Sequence, residues 1–270
     1  LSVRPAAAMN PSRHAVAVAI VTTCRASLAR AVRSVFRQRL ADGQGGRIQV
    51  LLGVDCDPDG RRAALLDELA PECPPHVTVT LINLGYSTSQ RHGGPHASYY
   101  GGSLRSALTL LADSRVVVYL DDDDWLKEDH CARILQAIEG KKWAYSYSIY
   151  ADGNTGQELC VDGLESVGVG RGIYAESFGG FVRPSGLAID KLQLLHVVHL
   201  WSCAAFASGD GEDRLVFEQL RREPHGCTGA ATVCCALDPN DALHARRVEF
   251  MRAHGVEAHV APKSGSSRGA

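Results

Sequence analysis

Four consecutive carboxylates, Asp121 to Asp124, follow directly on the apolar run Val116-Val117-Val118-Tyr119-Leu120 and are followed by Trp125. Like charges a few ångströms apart raise one another's pKa unless a cation is present. The run therefore points to a hard divalent ion, held by one or two carboxylates and completed by the phosphate oxygens of a substrate. A solvated acidic turn is the bland reading, but this run closes a buried strand rather than a free tail. A second acidic group, Gly209-Asp210-Gly211-Glu212-Asp213, precedes Arg214-Leu215-Val216-Phe217. It offers a general base for an acceptor hydroxyl, and it is equally a good helix start, because acids favour the N-terminal end of the helix dipole.

Other enzymes that end a strand in aspartates leave marks that are missing here. The Asp-x-Asp of haloacid-dehalogenase-type phosphatases wants Thr or Val two residues on, and Trp125 occupies that place. Phosphoribosyltransferases follow their acidic pair with a Thr-Gly-rich loop, and a Walker lysine motif is also absent from the sequence. What survives is a metal site for a diphosphate without a phosphate-cradling glycine loop.

These residues need a scaffold, and the first half of the chain supplies one. Ala15–Val21, Ile48–Val54, Val77–Leu81 and Arg115–Leu120 read as strands, alternating with helices over Leu28–Leu40, Arg61–Leu69 and Ser103–Ala112. Such alternation predicts an α/β fold with a mostly parallel central sheet flanked by helices. Ligands gather beyond the carboxyl ends of the strands in such sheets, so Thr22, Asp55 and the aspartate run should share one crevice. A long loop, Gly85–Gly102, carries His92 and His96 and reads as functional or mobile. The second half is less regular. Trp143–Tyr150 is strand-like and Ala151–Gly156 suits a hairpin turn. Val167–Phe181 is glycine-rich and irregular, while Lys191–Trp201 and Glu212–Arg222 read as helices.

Composition narrows the function classes. The 270 residues are 45% hydrophobic and 21% charged, an ordinary globular balance, and the net charge of -2 argues against a broad nucleic-acid-binding surface. No apolar run approaches the roughly 18–20 residues that span a bilayer. A cytoplasmic enzyme without a transmembrane segment is the expectation, with peripheral membrane contact left open. Nine cysteines, adjacent only at Cys234-Cys235 and without metal-finger spacing, read as reduced, mostly packed thiols.

The order of these features resembles the family 2 glycosyltransferases, the inverting enzymes of GT-A fold. Val18-Ala19-Ile20-Val21-Thr22-Thr23-Cys24-Arg25 is similar to the family's opening strand and loop, with Val21, Thr23 and Cys24 where Pro, Tyr and Asn are usual. Val54-Asp55 with Asp57-Pro58-Asp59-Gly60 resembles its V-D-D-G-S-x-D segment, with Cys56 replacing the second Asp. Leu120–Trp125 is similar to the L-D-x-D-D metal motif, and Gly211-Glu212-Asp213 to the late E-D motif. The A-R-N of the family is represented by Arg105 without the Asn.

The resemblance implies a donor site for a nucleotide-diphosphate sugar, a UDP-sugar above all, with transfer to a glycan, lipid or protein acceptor hydroxyl. Asp55 would accept the imide N–H of the base, and Thr22, Thr23, Arg25, Arg105, Asp121 and Asp122 would line the nucleotide-sugar pocket. Asp123 and Asp121 would hold Mn²⁺ or Mg²⁺, with His244 as a late third ligand. Asp213 would be the general base, with Glu212 as its support or alternative. Trp125 and Trp201 are suited to stack on a sugar face or simply to pack. The expected layout is one GT-A domain over residues 15–260, split into a nucleotide-sugar half (15–125) and an acceptor half (126–260). Residues 1–14 and 261–270 are expected to be disordered. Two other readings compete: a non-catalytic GT-A-like nucleotide-binding module, and a nucleotidyl- or phosphoryl-transfer enzyme using the same acidic strand end. The second lacks a glycine in Val21–Arg25 for a phosphate loop.

Overall fold

The computed structural model describes residues 13–41 and 46–256. Of the ends read as disordered, 1–14 and 261–270, residues 1–12 and 261–270 lie outside these, whereas His14 already belongs to the first strand. The chain runs β1 (His14–Thr22), α1 (Leu28–Phe36), β2 (Arg47–Val54), α2 (Arg62–Leu69), β3 (Val77–Asn83), α3 (Gly102–Leu111), β4 (Val116–Asp121) and β5 (Trp125–Leu126). It continues with α4 (His130–Ala137), β6 (Trp143–Ala151), β7 (Glu158–Val161), β8 (Gly168–Val169), α5 (Ala175–Phe178) and β9 (Gly180–Phe181). Last come β10 (Leu187–Asp190), α6 (Leu195–Val198), α7 (Glu212–Leu220), β11 (His225–Ala236) and α8 (His244–Ala253).

The main sheet has the order β3-β2-β1-β4-β10-β6-β11-β5, with β7 paired to β6. β1, β2, β3 and β4 are mutually parallel, and β6 is parallel to β11. β10 runs antiparallel between β4 and β6, and so joins the two halves of the chain into one sheet. Among the described residues no helix is long and apolar enough to cross a membrane.

Both faces of the inner parallel strands β1, β2 and β4 are apolar because both are covered, whereas the edge strand β3 alternates. Val16, Val18 and Ile20 of β1 meet α1 through Leu28, Val32 and Val35, whereas Ala17, Ala19 and Val21 join a second cluster with Leu104 and Leu108 of α3. Burying the large α1 side chains contributes about 1.5–3 kcal/mol each. The expected helix over 28–40 stops at Phe36 because Gln38 leaves the helical ladder. Its amide donates to Lys127 O at 2.6 Å and its carbonyl accepts from Cys131 N at 2.9 Å. Ser34 adds a tie to the same segment by accepting from Leu126 N at 3.0 Å.

The second half holds more order than its glycines suggest. The irregular 167–181 stretch forms the paired β8 and β9 around the short α5. The expected helix over 191–201 is only α6, prolonged by a 3-10 turn over His199–Ser202, because Asp190 first turns the chain by accepting from Leu192 N at 3.1 Å. β11, which sequence periodicity does not reveal, is broken in register between Cys227 and Val233. Its Gly226 is required because a Cβ there would lie 1.9 Å from Ala137 O.

Candidate functional site

Parallel registry brings the predicted loops together. Thr22 pairs with Val54 and Val21 with Asp121, and Asp55 N donates to Thr22 O at 2.9 Å. The ends of β1, β2 and β4 therefore open into one crevice.

At the first of these ends, the turn passes through Cys24 at φ 59, the sole non-glycine positive φ among the described residues. Asn tolerates that left-handed conformation best, which gives a physical reason for the residue usual at this place in the resembled family. Thr22 braces the turn: its hydroxyl accepts from Cys24 N at 2.8 Å and donates to Asp122 Oδ2 at 2.6 Å. Thr22 and Asp122 are both buried and face one another. Arg25 pairs with Asp122 and reaches Asp123 Oδ2 at 3.2 Å, while half of its side chain stays accessible. Thr23 is half-buried beside them.

Asp55 is held by the loop that follows β3. Ser87 Oγ donates to its Oδ2 at 2.7 Å, and Thr88 N and Oγ1 donate to its Oδ1 at 3.0 and 3.1 Å. Three of about four acceptor positions on the carboxylate are thereby used. One remains for a further donor.

At the end of β4 the four aspartates divide. Asp122 and Asp124 turn inward, while Asp121 and Asp123 keep 31% and 24% of their side chains accessible toward the crevice. Asp124 accepts from Ser185 Oγ at 2.6 Å and from Ala236 N at 3.0 Å. Burial, reinforced by the charges of Asp123 and Asp121, pushes its carboxyl up to about 7. Burial likewise raises Asp121, although Arg105 beside it counteracts this. Arg105, buried on α3, donates to Asp121 Oδ1 at 2.6 Å and stacks 4.7 Å over Trp201. Gly102 lets α3 approach this close, since a Cβ would lie 1.8 Å from Trp201 O. Trp201 is 1% exposed, so it packs in the core and offers no sugar platform; Trp125 carries Arg30 over its ring at 4.7 Å.

Glu212 and Asp213 occupy the first turn of α7, where free backbone N–H groups favour negative charge. Arg214, stacked 3.6 Å over Phe181 and 3.9 Å over Tyr174, locks that turn against the 167–181 segment. Glu212 is buried, and its Oε2 has no hydrogen-bond partner. Burial pushes its carboxyl up to about 7, with Arg105 opposing and Asp213 and Asp121 adding to the rise. Asp213 is also raised by burial but keeps 27% of its side chain accessible. The charge of Asp213 adds to the rise of Asp121, so the two acidic clusters lie within electrostatic reach of each other.

Asp121 and Asp123 fit a hard divalent ion. They supply oxygen donors only, they are the accessible members of the run, and Asp123 raises the proton affinity of Asp121 by like-charge repulsion that a cation would relieve. His244 opens α8, where its Nδ1 is buried without a partner. Asp121, Asp123 and His244 do not form a set with all ligand atoms within 4.8 Å of one another. Sequence reasoning missed Ser185, which accepts from Asp121 N at 3.1 Å and donates to Asp124. It also missed the Ser87–Thr88 clasp on Asp55. Hydroxyls in loops give no periodic signal, and nothing in the sequence pairs Ser185 with residues more than sixty positions away.

No protein-family model matches the chain, and no curated protein matches it in sequence. Solved structures do match in fold. The crystal structure of S. aureus TarS superposes with a TM-score of 0.56 at 12% identity, over 90% of this chain and 40% of that one. TarS 1-349 in complex with UDP gives 0.54 at 11% identity, over 88% and 64%. The UDP-GlcNAc complex of TarS 1-349 gives 0.57 at 10% identity, over 88% of this chain and 65% of that one. This chain spans less than two thirds of each of these proteins. The likeness establishes a shared α/β fold with TarS, a protein solved with a nucleotide and with a nucleotide sugar.

Proposed function

We propose that this chain is an inverting, GT-A-type glycosyltransferase of the family 2 kind, taking its sugar from a UDP-sugar in a single domain over residues 15–260. The observation that carries this reading is that Glu212 and Asp213 lie within electrostatic reach of Asp121 and its partner Arg105, at the carboxyl end of β4. A diphosphate leaving group and an acceptor hydroxyl need these two functions on opposite sides of a sugar. The fold shared with a protein that binds UDP-GlcNAc supports the choice of donor.

In this reading Asp55 receives the base N–H at its remaining acceptor position, and the Ser87–Thr88 clasp orients the carboxylate for it. Arg25 lies across the mouth of the crevice, with half its side chain accessible for a phosphate oxygen. Asp121 and Asp123 would hold Mn²⁺ or Mg²⁺, which when bound supplies electrostatic stabilisation of the leaving diphosphate. Arg105 fixes the orientation of Asp121, and Ser185 fixes both ends of the Asp121–Asp124 turn. Asp213 takes the proton of the acceptor hydroxyl, because it is the accessible member of its pair. Glu212, buried behind it, raises the basicity of the site by its charge. The half-accessible rim formed by 167–181 is the acceptor side. Surface polysaccharide or glycoconjugate synthesis in the cytoplasm is the proposed setting.

Calorimetric titration of UDP into the protein, with Mn²⁺ and then with EDTA, tests the reading, with GDP, CMP and dTDP as comparisons. Metal-dependent binding of UDP that is lost in Asp123→Ala is the expected result. A folded protein that binds none of the four nucleotides would refute it.

A further inference from the structure

A third group of ligating side chains lies outside the acidic crevice. Asp55 and Cys56, at the end of β2, and His92, in the 3-10 turn Gln90–His92, bring their ligand atoms within 4.8 Å of one another. Among the described residues this is the sole set of three His, Cys, Asp or Glu side chains drawn so close. The donors are one thiol, one imidazole and one carboxylate, a borderline-soft set unlike the all-oxygen Asp121–Asp123 pair. We propose that Asp55, Cys56 and His92 form a Zn²⁺ site that latches the 84–101 loop onto the end of β2.

The chemistry of the donors selects the metal. Zinc accepts S, N and O ligands with bonds of about 2.0–2.3 Å, which places tetrahedral donors roughly 3.3–3.8 Å apart. Any closure from within 4.8 Å to that spacing falls to His92 and Cys56, because His92 is exposed and Cys56 half-buried whereas Asp55 is buried and held. The carboxylate is already oriented by Ser87 and Thr88, as outer-shell hydrogen bonds orient metal ligands elsewhere. Its remaining acceptor position is the one the nucleotide base would take, so Zn²⁺ and the base compete for Asp55. The loop is pre-shaped for the approach: Gly94 N donates to Ser89 O at 2.8 Å, His96 N to Thr88 O at 3.0 Å, and Arg91 stacks on Tyr99 at 4.6 Å. On binding, the Cys56 S–H bond breaks, its proton leaves to solvent and the sulfur lone pair forms the S–Zn bond; water completes the fourth position. The site does not require the proposed transfer activity, but Zn²⁺ bound there excludes the base from Asp55.

The test is titration of the metal-free full chain with Co²⁺, read by the thiolate-to-cobalt charge-transfer band, followed by displacement with Zn²⁺. One equivalent of Co²⁺ with that band is expected, abolished in Cys56→Ser and retained in Cys227→Ser, whose thiol is exposed elsewhere. Ser87→Ala, which loosens only the outer shell, should weaken binding by roughly tenfold or more. Zn²⁺ should also slow tryptic cleavage after the exposed Arg91 in the unmodified chain but not in His92→Ala. A band that survives Cys56→Ser, or no thiolate band at all with cleavage after Arg91 indifferent to Zn²⁺, overturns the proposal.

Discussion

Glu212→Gln is expected to make the protein more stable, and by an amount that depends on pH. Glu212 is 4% exposed, one of its oxygens is unpartnered, and its carboxyl is pushed up to about 7 from an ordinary 4.5. For an acid whose folded pKa is raised, the native state binds more protons than the unfolded state between those two values. Stability contributed at this position therefore falls as pH rises from about 4.5 to about 7 and is then lost in full. At 1.36 kcal/mol per pKa unit, the loss at pH 8 is about 3 kcal/mol, and at pH 5 it is under about 1 kcal/mol. Gln removes the ionisation and keeps the shape. Melting temperatures measured by calorimetry at pH 5 and pH 8 should then show a gain at pH 8 of roughly 6–12 °C for a chain of this size, shrinking severalfold at pH 5. An equal or lower melting temperature for Glu212→Gln at pH 8 would refute the reasoning. It would mean that the buried carboxylate is fully compensated by Arg105, and the base pair would lose its claim to a strained, functional environment.

Two further outcomes follow from the same geometry. Arg25→Ala leaves Asp122 buried with Thr22 as its remaining side-chain partner, and should cost about 1–3 kcal/mol in denaturant unfolding, with the unfolding slope unchanged. Asp213→Asn should slow hydrolytic release of UDP from UDP-GlcNAc, with water as acceptor, by about 10² to 10⁴ while UDP affinity stays the same. Equal loss of rate and affinity would instead assign Asp213 to donor binding.

The strands that build the crevice were legible because parallel strands buried on both faces must be continuous apolar runs. β1, β2 and β4 fall within a residue or two of where Ala15–Val21, Ile48–Val54 and Arg115–Leu120 predict them. β11 and β10 were not legible. β11 is interrupted by Gly226 and Gly229 and changes register, and β10 is only Leu187–Asp190, too short for any period to show. Helix ends also escaped, because α1 is stopped by a Gln38 amide whose partners, Lys127 O and Cys131 N, lie far along the chain.

The sequence by itself determined the parallel half-sheet, the place where its strand ends converge, and the acidic side chains delivered there, since these depend on local hydrophobic patterning and strand order. Only the tertiary structure decided how those side chains divide the work. Alternation at a strand end cannot say that Asp122 would be consumed by Thr22 and Arg25, or that Asp124 would be consumed by Ser185 and Ala236 N, leaving Asp121 and Asp123 at the crevice. Nor can spacing bring His92 to Asp55 and Cys56, or bury Glu212 beside Arg105. Those outcomes depend on which long-range partners satisfy each polar group once water is excluded, and that accounting closes only in the folded chain.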